Sequence, residues 1–143
     1  NVALIVFRDT FNHSTGVVVA TDGGLVLKHY NRSFRNVDID FLPNTPVPLH
    51  ASSAGQIFMS YSTWQPQNQA QELLIAQIRS QGYAVRHNPT QGIPGAQSIA
   101  CPLRNKKGEL VAIAVTMGFF STDDMPQIAG QLVRSVEALH LQE

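Results

Sequence analysis

The chain has 143 residues, 43% of them hydrophobic, and its ten basic residues balance its ten acidic ones. This length fits one domain with a buried core, and this composition excludes a wholly disordered chain. The neutral balance argues against nucleic-acid binding by this segment alone, because neutralising phosphates requires clustered Lys and Arg.

The first third of the chain predicts a short helix, a hairpin and a loop. Residues 2–14 have apolar spacing that favours a helix, although a strand fits them as well. Two β-rich runs within residues 16–31 flank an Asp-Gly-Gly turn at residues 22–24. Glycine tolerates the positive φ of a tight turn, so this segment predicts a β-hairpin. Residues 31–47 read as a long loop, because a series of prolines discourages regular structure there: Pro43, Pro46 and Pro48.

The middle of the chain predicts two helices. Over residues 50–61, apolar residues recur three and four apart and mark one buried face: Ala51, Ala54, Phe58 and Tyr61. Over residues 69–81 the predicted inward positions are Leu73, Leu74 and Ile78. Gly82 follows this second helix as a natural terminator.

The last third predicts strands and a final helix. A short strand at residues 83–85 precedes a polar loop, 86–97, that carries proline and glycine. Two strands over residues 98–120 are joined by a turn at Asn105–Gly108. The last helix starts near Asp124–Pro126, with an apolar stripe of Ile128, Leu132, Val136 and Leu139. Strands in hairpins with helices between them predict an α+β fold with a mostly antiparallel central sheet.

No repeat, low-complexity tract or linker divides the chain, so we treat residues 1–143 as a single domain. No apolar run approaches the roughly 20 residues that span a bilayer. The single cysteine, Cys101, lies in an apolar strand and reads as a buried, inert thiol. A lone cysteine fits a reducing compartment, so we expect a cytoplasmic protein without a membrane segment.

The stretch PLHASSAGQ, residues 48–56, is the strongest candidate for chemistry, because tiny side chains leave the backbone exposed beside adjacent hydroxyls. A serine hydrolase would carry its nucleophile in Gly-x-Ser-x-Gly. Ser53 lacks the first glycine, although a dispersed triad stays open. Close packing of a helix on a neighbour would explain the small residues equally well. The histidines and Cys101 show no ligand spacing, so we expect neither a metal nor a cofactor, although a metal site built from residues distant in sequence stays open.

Three segments, in this order, resemble the C-terminal effector-binding domain of IclR-family transcriptional regulators: VPLHASSAGQIFMSY, IRSQGYAV and SIACPLRNKKGELVAIAVTMG. The resemblance covers residues 17–140. It implies a GAF-like α/β fold whose central sheet carries helices on both faces. It also implies a winged helix-turn-helix domain, missing from this chain, that would precede it and contact DNA. The implied partners are a small-molecule effector and further copies of the chain, as a homodimer or homotetramer.

The resemblance places an effector pocket between the sheet and the helix that begins in PLHASSAGQ. Ser53 and Ala54 match small residues that cradle an effector carboxylate, and exposed N–H groups at a helix start suit an anion. Ser98 matches a polar pocket residue on a strand. The implied ligand-binding residues are Ser52, Ser53, Ala54, Arg86, Ser98, Val115 and Met117.

Departures from the family pattern define the expected ligand. Val115 and Met117 stand where hydroxyls are common, and Arg86 stands where the family commonly has acidic residues. We therefore expect an anionic end at the Ser52–Ser53 amides, with Arg86 as a further candidate. We expect an apolar opposite end lined by Val115 and Met117, with Phe119 as a further candidate. An aromatic or medium-length carboxylate fits such a pocket. A small hydrolase that uses Ser53 and a ligand-free dimerisation module stay open as alternatives.

Overall fold

The computed structural model of the chain describes residues 2–87 and 93–140, and of residues 139–140 only the backbone. In this part of the chain the helices and strands, in order, are α1 (Val2–Phe11), β1 (Ser14–Thr21), β2 (Gly24–Asn31), β3 (Thr45–Val47), α2 (Ser53–Tyr61), α3 (Gln69–Gln81), β4 (Ala84–His87), β5 (Gln97–Arg104), β6 (Leu110–Gly118) and α4 (Met125–His140). The strands form one sheet in the order β3-β2-β1-β6-β5-β4, with every neighbouring pair antiparallel. The predicted α+β fold with an antiparallel central sheet is confirmed.

The sheet separates two apolar layers, because successive side chains of a strand point to opposite faces. On β5, Ile99 and Cys101 pack in one cluster with residues of α1 and α4. Ala100, between them, packs in a second cluster with residues of α2 and α3, including Ile57 and Ile78. Helices therefore cover both faces of the sheet, as expected.

The strand register brings distant residues together on the face that α2 covers. Ser98 on β5 pairs directly with Met117 on β6, and Ala100 pairs with Val115. Directly paired residues of antiparallel strands project to the same side of the sheet. Ser98, Met117 and Val115 therefore form one patch of sheet surface below the start of α2.

The start of α2 differs from the sequence prediction. The helix begins at Ser53 rather than near residue 50, because Ser52 is extended (φ −140°, ψ 155°) and caps the helix. Ala51 precedes the helix and is exposed, so its place in the predicted buried face was wrong. Gly55 lies against the preceding segment so closely that a Cβ there would stand 1.9 Å from the carbonyl oxygen of Leu49.

Two further expectations need correction. Leu73, predicted to face inward on α3, is 64% exposed, because α3 turns Ile78 towards the core instead. The predicted loop 31–47 contains β3, which pairs with β2 as the edge strand of the sheet. Pro46 is compatible with β3 because an edge strand tolerates the missing N–H. Residues 88–92 of the predicted polar loop and the Leu139 side chain lie outside the described residues.

The remaining predicted elements are found close to their expected positions. The apolar segment after residue 2 is helical as α1, and the 16–31 hairpin is formed by β1 and β2. Helix α3 ends at Gln81, and Gly82 adopts the left-handed conformation (φ 87°). No helix in residues 2–87 or 93–140 combines the length and the apolar character needed to cross a membrane.

The loop between β2 and β3 is fastened to the sheet by the Asp38 carboxylate. Its Oδ2 accepts hydrogen bonds from the hydroxyls of Ser14, at 2.9 Å, and Ser33. Its Oδ1 accepts from the Ile39 amide at 2.8 Å. The Tyr30 hydroxyl donates to the Ile39 carbonyl, and burial raises the pKa of Tyr30 to about 12, so this donor stays protonated. These bonds fix where the second half of the loop crosses the sheet.

The contact at Gly55 generates a stability prediction. Gly55→Ala should lower the free energy of unfolding by more than about 2 kcal/mol, because the new methyl group overlaps a backbone carbonyl that cannot move alone. Gly23→Ala is the matched control, since the nearest atom to its Cβ would be 3.9 Å away. The control should change stability by no more than about 0.5 kcal/mol. Urea unfolding measures both, and equal effects would contradict the contact.

Candidate ligand-binding site

A cavity of about 300 Å³ lies between the start of α2, the sheet and the β3 edge. Six of the seven residues that the sequence assigned to a ligand line it: Ser52, Ser53, Ala54, Ser98, Val115 and Met117. Pockets for small ligands start at about this volume and combine apolar walls with a few placed polar groups. That these residues bind a ligand stays a prediction, but the fold does place them around one space.

The polar end of the cavity is built from the first turn of α2. The Ser52 hydroxyl accepts a hydrogen bond from the Gly55 amide at 2.9 Å and donates to the Pro48 carbonyl at 2.6 Å. The Gln56 amide bonds the Ser52 carbonyl. Within the described residues, the amides of Ser53 and Ala54 have no acceptor. Both residues are 2% exposed, so these two N–H groups are sheltered beside the cavity.

A buried pair of hydroxyls joins α2 to the sheet next to these amides. Ser53 Oγ and Ser98 Oγ are 2.8 Å apart, and both side chains are buried. When one hydroxyl donates to the other, the second keeps its own proton free for another acceptor. The pair therefore adds a further donor to the polar end of the cavity.

The other walls are apolar. Val115 and Met117 form the floor on β6, and Val18 and Leu27 continue it along β1 and β2. No charged side chain is among the residues that line this cavity. An anion here would therefore meet backbone amides and hydroxyls rather than a cationic side chain.

Arg86 is the one assigned residue that does not line the cavity. It is half-buried on β4 and pairs directly with Ser98, so both side chains project from the same face of the sheet. No hydrogen bond or ion pair holds its guanidinium to the residues that the structure describes. Arg86 thus neighbours the polar end without forming part of its wall.

The sequence did not assign the side of the cavity formed by the loop and β3. Phe41 and the run Thr45–Pro48 line it there. Phe41 is held by an edge-to-face contact with Tyr30, with ring centroids 5.4 Å apart. Only the pairing of β3 with β2 places this segment opposite α2. The apolar character of Val47 within a proline-rich run was the one local signal for it.

The surroundings of Ser53 differ from those of a hydrolase nucleophile. Its hydroxyl partner is Ser98, and no histidine or carboxylate lines the cavity. A serine nucleophile needs a base within hydrogen-bond reach. In residues 2–87 and 93–138, no three His, Cys, Asp or Glu side chains cluster as metal ligands would.

Comparison with solved structures identifies the fold. The chain superimposes on Pseudomonas aeruginosa HmgR with a TM-score of 0.88 at 19% identity, covering 99% of this chain and 63% of that one. A Rhodococcus protein described as an IclR-family transcriptional regulator superimposes with a TM-score of 0.79 at 18% sequence identity. That match covers 97% of this chain and 60% of the Rhodococcus protein. The effector domain of the regulator IclR from Acinetobacter sp. ADP1 superimposes with a TM-score of 0.74 at 17% sequence identity. That match covers 96% of this chain and 91% of the Acinetobacter domain. This is the fold of an IclR-family effector domain.

The IclR-family fold is shared at low sequence identity. No family model matches the chain, and no curated protein matches it in sequence. The chain spans about three fifths of the longer neighbours, 63% of HmgR and 60% of the Rhodococcus protein. It spans nearly the whole of the Acinetobacter IclR effector domain.

The hydroxyl pair predicts coupled stability effects within this IclR-family fold. Ser53→Ala and Ser98→Ala should each lower the free energy of unfolding by about 1 kcal/mol, because each leaves the other hydroxyl buried without its partner. The double variant should lose less than the sum of the two. Denaturant unfolding of the four proteins measures this coupling. Strict additivity would show that the two hydroxyls do not interact.

The buried cysteine predicts low reactivity. Burial raises the pKa of Cys101 to about 12, with the negative charge of Glu137 adding to the shift, and the side chain is 2% exposed. At about pH 8 the native thiol should react with a disulfide reagent at least about 100-fold more slowly than in the unfolded chain, since the thiolate is the reactive form. Comparable rates in the native and unfolded chains would contradict this environment.

Proposed function

We propose that the chain is the effector-binding domain of an IclR-type transcription regulator, and that its cavity binds a small monocarboxylate with an apolar body. The observation that supports this most strongly is the pair of sheltered amides, Ser53 and Ala54, beside a ligand-sized cavity. A buried donor without an acceptor costs about 1–3 kcal/mol. A ligand oxygen that accepts from these amides would recover that free energy.

The polar end favours one negative charge. The aligned peptide dipoles give a helix start roughly half a positive charge. The hydroxyl pair, Ser53 and Ser98, supplies a further proton to a carboxylate oxygen. Because no cationic side chain lines the cavity, a second carboxylate would lose its hydration without compensation. A monocarboxylate therefore fits better than a dicarboxylate.

The walls favour an apolar body of limited size. The cavity holds about 300 Å³, which is at the lower end of the range for small-molecule pockets, so a small ligand suits it. Phe41, Val115 and Met117 offer an aromatic ring and flexible or branched aliphatic groups. A phenyl ring or a branched chain attached to a carboxylate matches these dimensions.

DNA binding, which such an effector domain would regulate, would be performed by residues outside this segment. The sequence resemblance and the IclR-family fold support an upstream winged helix-turn-helix domain that binds DNA, and homodimers or homotetramers of a cytoplasmic protein. The neutral charge of residues 1–143 is consistent with DNA contacts made elsewhere. An effector that binds one arrangement of paired subunits more tightly than another would shift the equilibrium between them.

A matched ligand series tests this proposal. We expect aromatic and branched monocarboxylates, represented by phenylacetate, benzoate and isovalerate, to raise the melting temperature of the chain in a concentration-dependent way. The corresponding neutral amides keep the shape but lose the charge, so binding should be at least about tenfold weaker. If no acid stabilises the chain, the ligand-free dimerisation module is the better account. If amides bind as well as acids, the anionic end is wrong.

Two tryptophan variants on β6 locate the binding. Met117→Trp fills the cavity and should abolish stabilisation by the acids, while Val111→Trp, on an exposed part of the same strand, should leave it unchanged. Circular dichroism of both unliganded variants checks that the fold is intact. Ser53→Trp provides a second blocked variant at the polar end. Retained binding in both blocked variants would place the ligand elsewhere.

A further inference from the structure

A second cavity, of about 320 Å³, lies between the loop after β2, the end of β6 and the start of α4. It shares no lining residue with the first cavity. Its lining residues include His13, Arg35, Val37, Asp38, Phe119 and Asp124. All of them belong to the described residues. Phe119, which the sequence offered as a further candidate for the apolar end of the first cavity, lies in this second cavity instead.

On one side of this second cavity, the Arg35 guanidinium has N–H donors left over after its hydrogen bonds within the protein. Arg35 donates from Nε to the Asn12 carbonyl at 2.6 Å and makes a long contact of 3.4 Å from Nη2 to His13 Nδ1. Three of the five N–H groups of Arg35 then have no acceptor in the described part of the chain. Burial lowers the pKa of His13, so its ring is neutral at pH 7 and adds no positive charge.

Two carboxylates face the same space. Asp124 is exposed, and its side chain forms no hydrogen bond or ion pair within residues 2–87 and 93–138. Asp38 Oδ1 accepts one hydrogen bond, from the Ile39 amide, and can accept a second. It lies 3.5 Å from where a Cβ on Gly118 would be, on the floor of the cavity. Neither carboxylate forms an ion pair with Arg35.

The rim of this second cavity is apolar and open to solvent. Phe119 is 47% exposed and Val37 is 74% exposed. The Phe120 ring, which also lines the cavity, meets the His13 ring edge-on, with ring centroids 4.7 Å apart. The Phe119 and Val37 side chains offer an apolar surface beside the charged groups of the cavity.

We propose that this second cavity binds a zwitterionic α-amino acid with an apolar side chain. Arg35 receives the carboxylate, Asp38 and Asp124 receive the ammonium, and the side chain lies against Phe119 and Val37. A simple anion would meet two carboxylates, and a simple amine would meet the guanidinium. Only a ligand that carries both charges satisfies both sides, because charge-assisted hydrogen bonds form at each end.

Ligand analogues that each lack one charge test the proposal by calorimetry. L-Phenylalanine should bind, whereas N-acetyl-L-phenylalanine, which lacks the ammonium, and L-phenylalaninamide, which lacks the carboxylate, should each bind at least about tenfold more weakly. Glycine should also bind more weakly, because it has no side chain to contact Phe119. Absence of L-phenylalanine binding, or equal affinity for either analogue, would overturn the proposal.

Neighbouring aspartates provide a matched pair of variants. Asp124→Asn should weaken L-phenylalanine binding about tenfold by removing one charge from the ammonium site. Asp123→Asn changes the adjacent exposed carboxylate, which does not line the cavity, and should leave binding unchanged. Met117→Trp, which fills the first cavity, should also leave it unchanged, so this test is independent of the proposed effector site. Equal affinities of the Asp124 and Asp123 variants would refute the assignment.

Discussion

The candidate effector site depends on a backbone contact that only glycine permits. Without a side chain at Gly55, the first turn of α2 lies directly against the carbonyl groups of Pro48 and Leu49. This proximity lets the Ser52 hydroxyl bridge the Pro48 carbonyl and the Gly55 amide, which satisfies one donor of the helix start. The two preceding amides, those of Ser53 and Ala54, stay without acceptors in the described chain. Backbone rather than a charged side chain therefore forms the polar end of the cavity.

The loop after β2 contributes to both cavities, but the two cavities present different polar groups to a ligand. In the first cavity, the sheet and Phe41 form apolar walls, and the amides and hydroxyls at the start of α2 form the polar end. In the second, side chains of both charges face one space beneath exposed apolar groups. The loop after β2 supplies Phe41 to one and Asp38 to the other. The hydrogen bonds of Asp38 to Ser14 and Ser33 therefore hold walls of both cavities in place.

Local chemistry predicted much of the fold, and long-range pairing accounts for most of what it missed. The turn at residues 22–24 and the helix end at Gly82 follow from glycine's freedom at positive φ. Helical spacing predicted that Ala51 lies in α2. That spacing gives no sign that the Ser52 hydroxyl caps the helix, so that α2 begins only at Ser53. The edge strand β3 was predicted as a loop because it contains Pro46. This segment is a strand because it pairs with β2, and a local sequence pattern does not reveal that pairing.

The site was predictable only where a resemblance supplied the positions. Ser53, Ser98 and Met117 line one cavity because of the strand register, which no local pattern reveals. Phe41 and Val47 were missed because the sequence gives no sign of what lies opposite a loop. Arg86 was assigned from its charge and its position after the predicted strand at residues 83–85. The structure instead places it on β4, beside the polar end of the cavity rather than in its wall.

The central claim is that the first two amides of α2 receive the carboxylate of an apolar acid. An amide-resolved NMR titration with phenylacetate observes these groups directly. The Ser53 and Ala54 amide protons should shift downfield together and saturably as a ligand oxygen accepts from them, with smaller changes at Val115 and Met117. Saturable shifts elsewhere in the chain, with the Ser53 and Ala54 amides unmoved, would contradict the site.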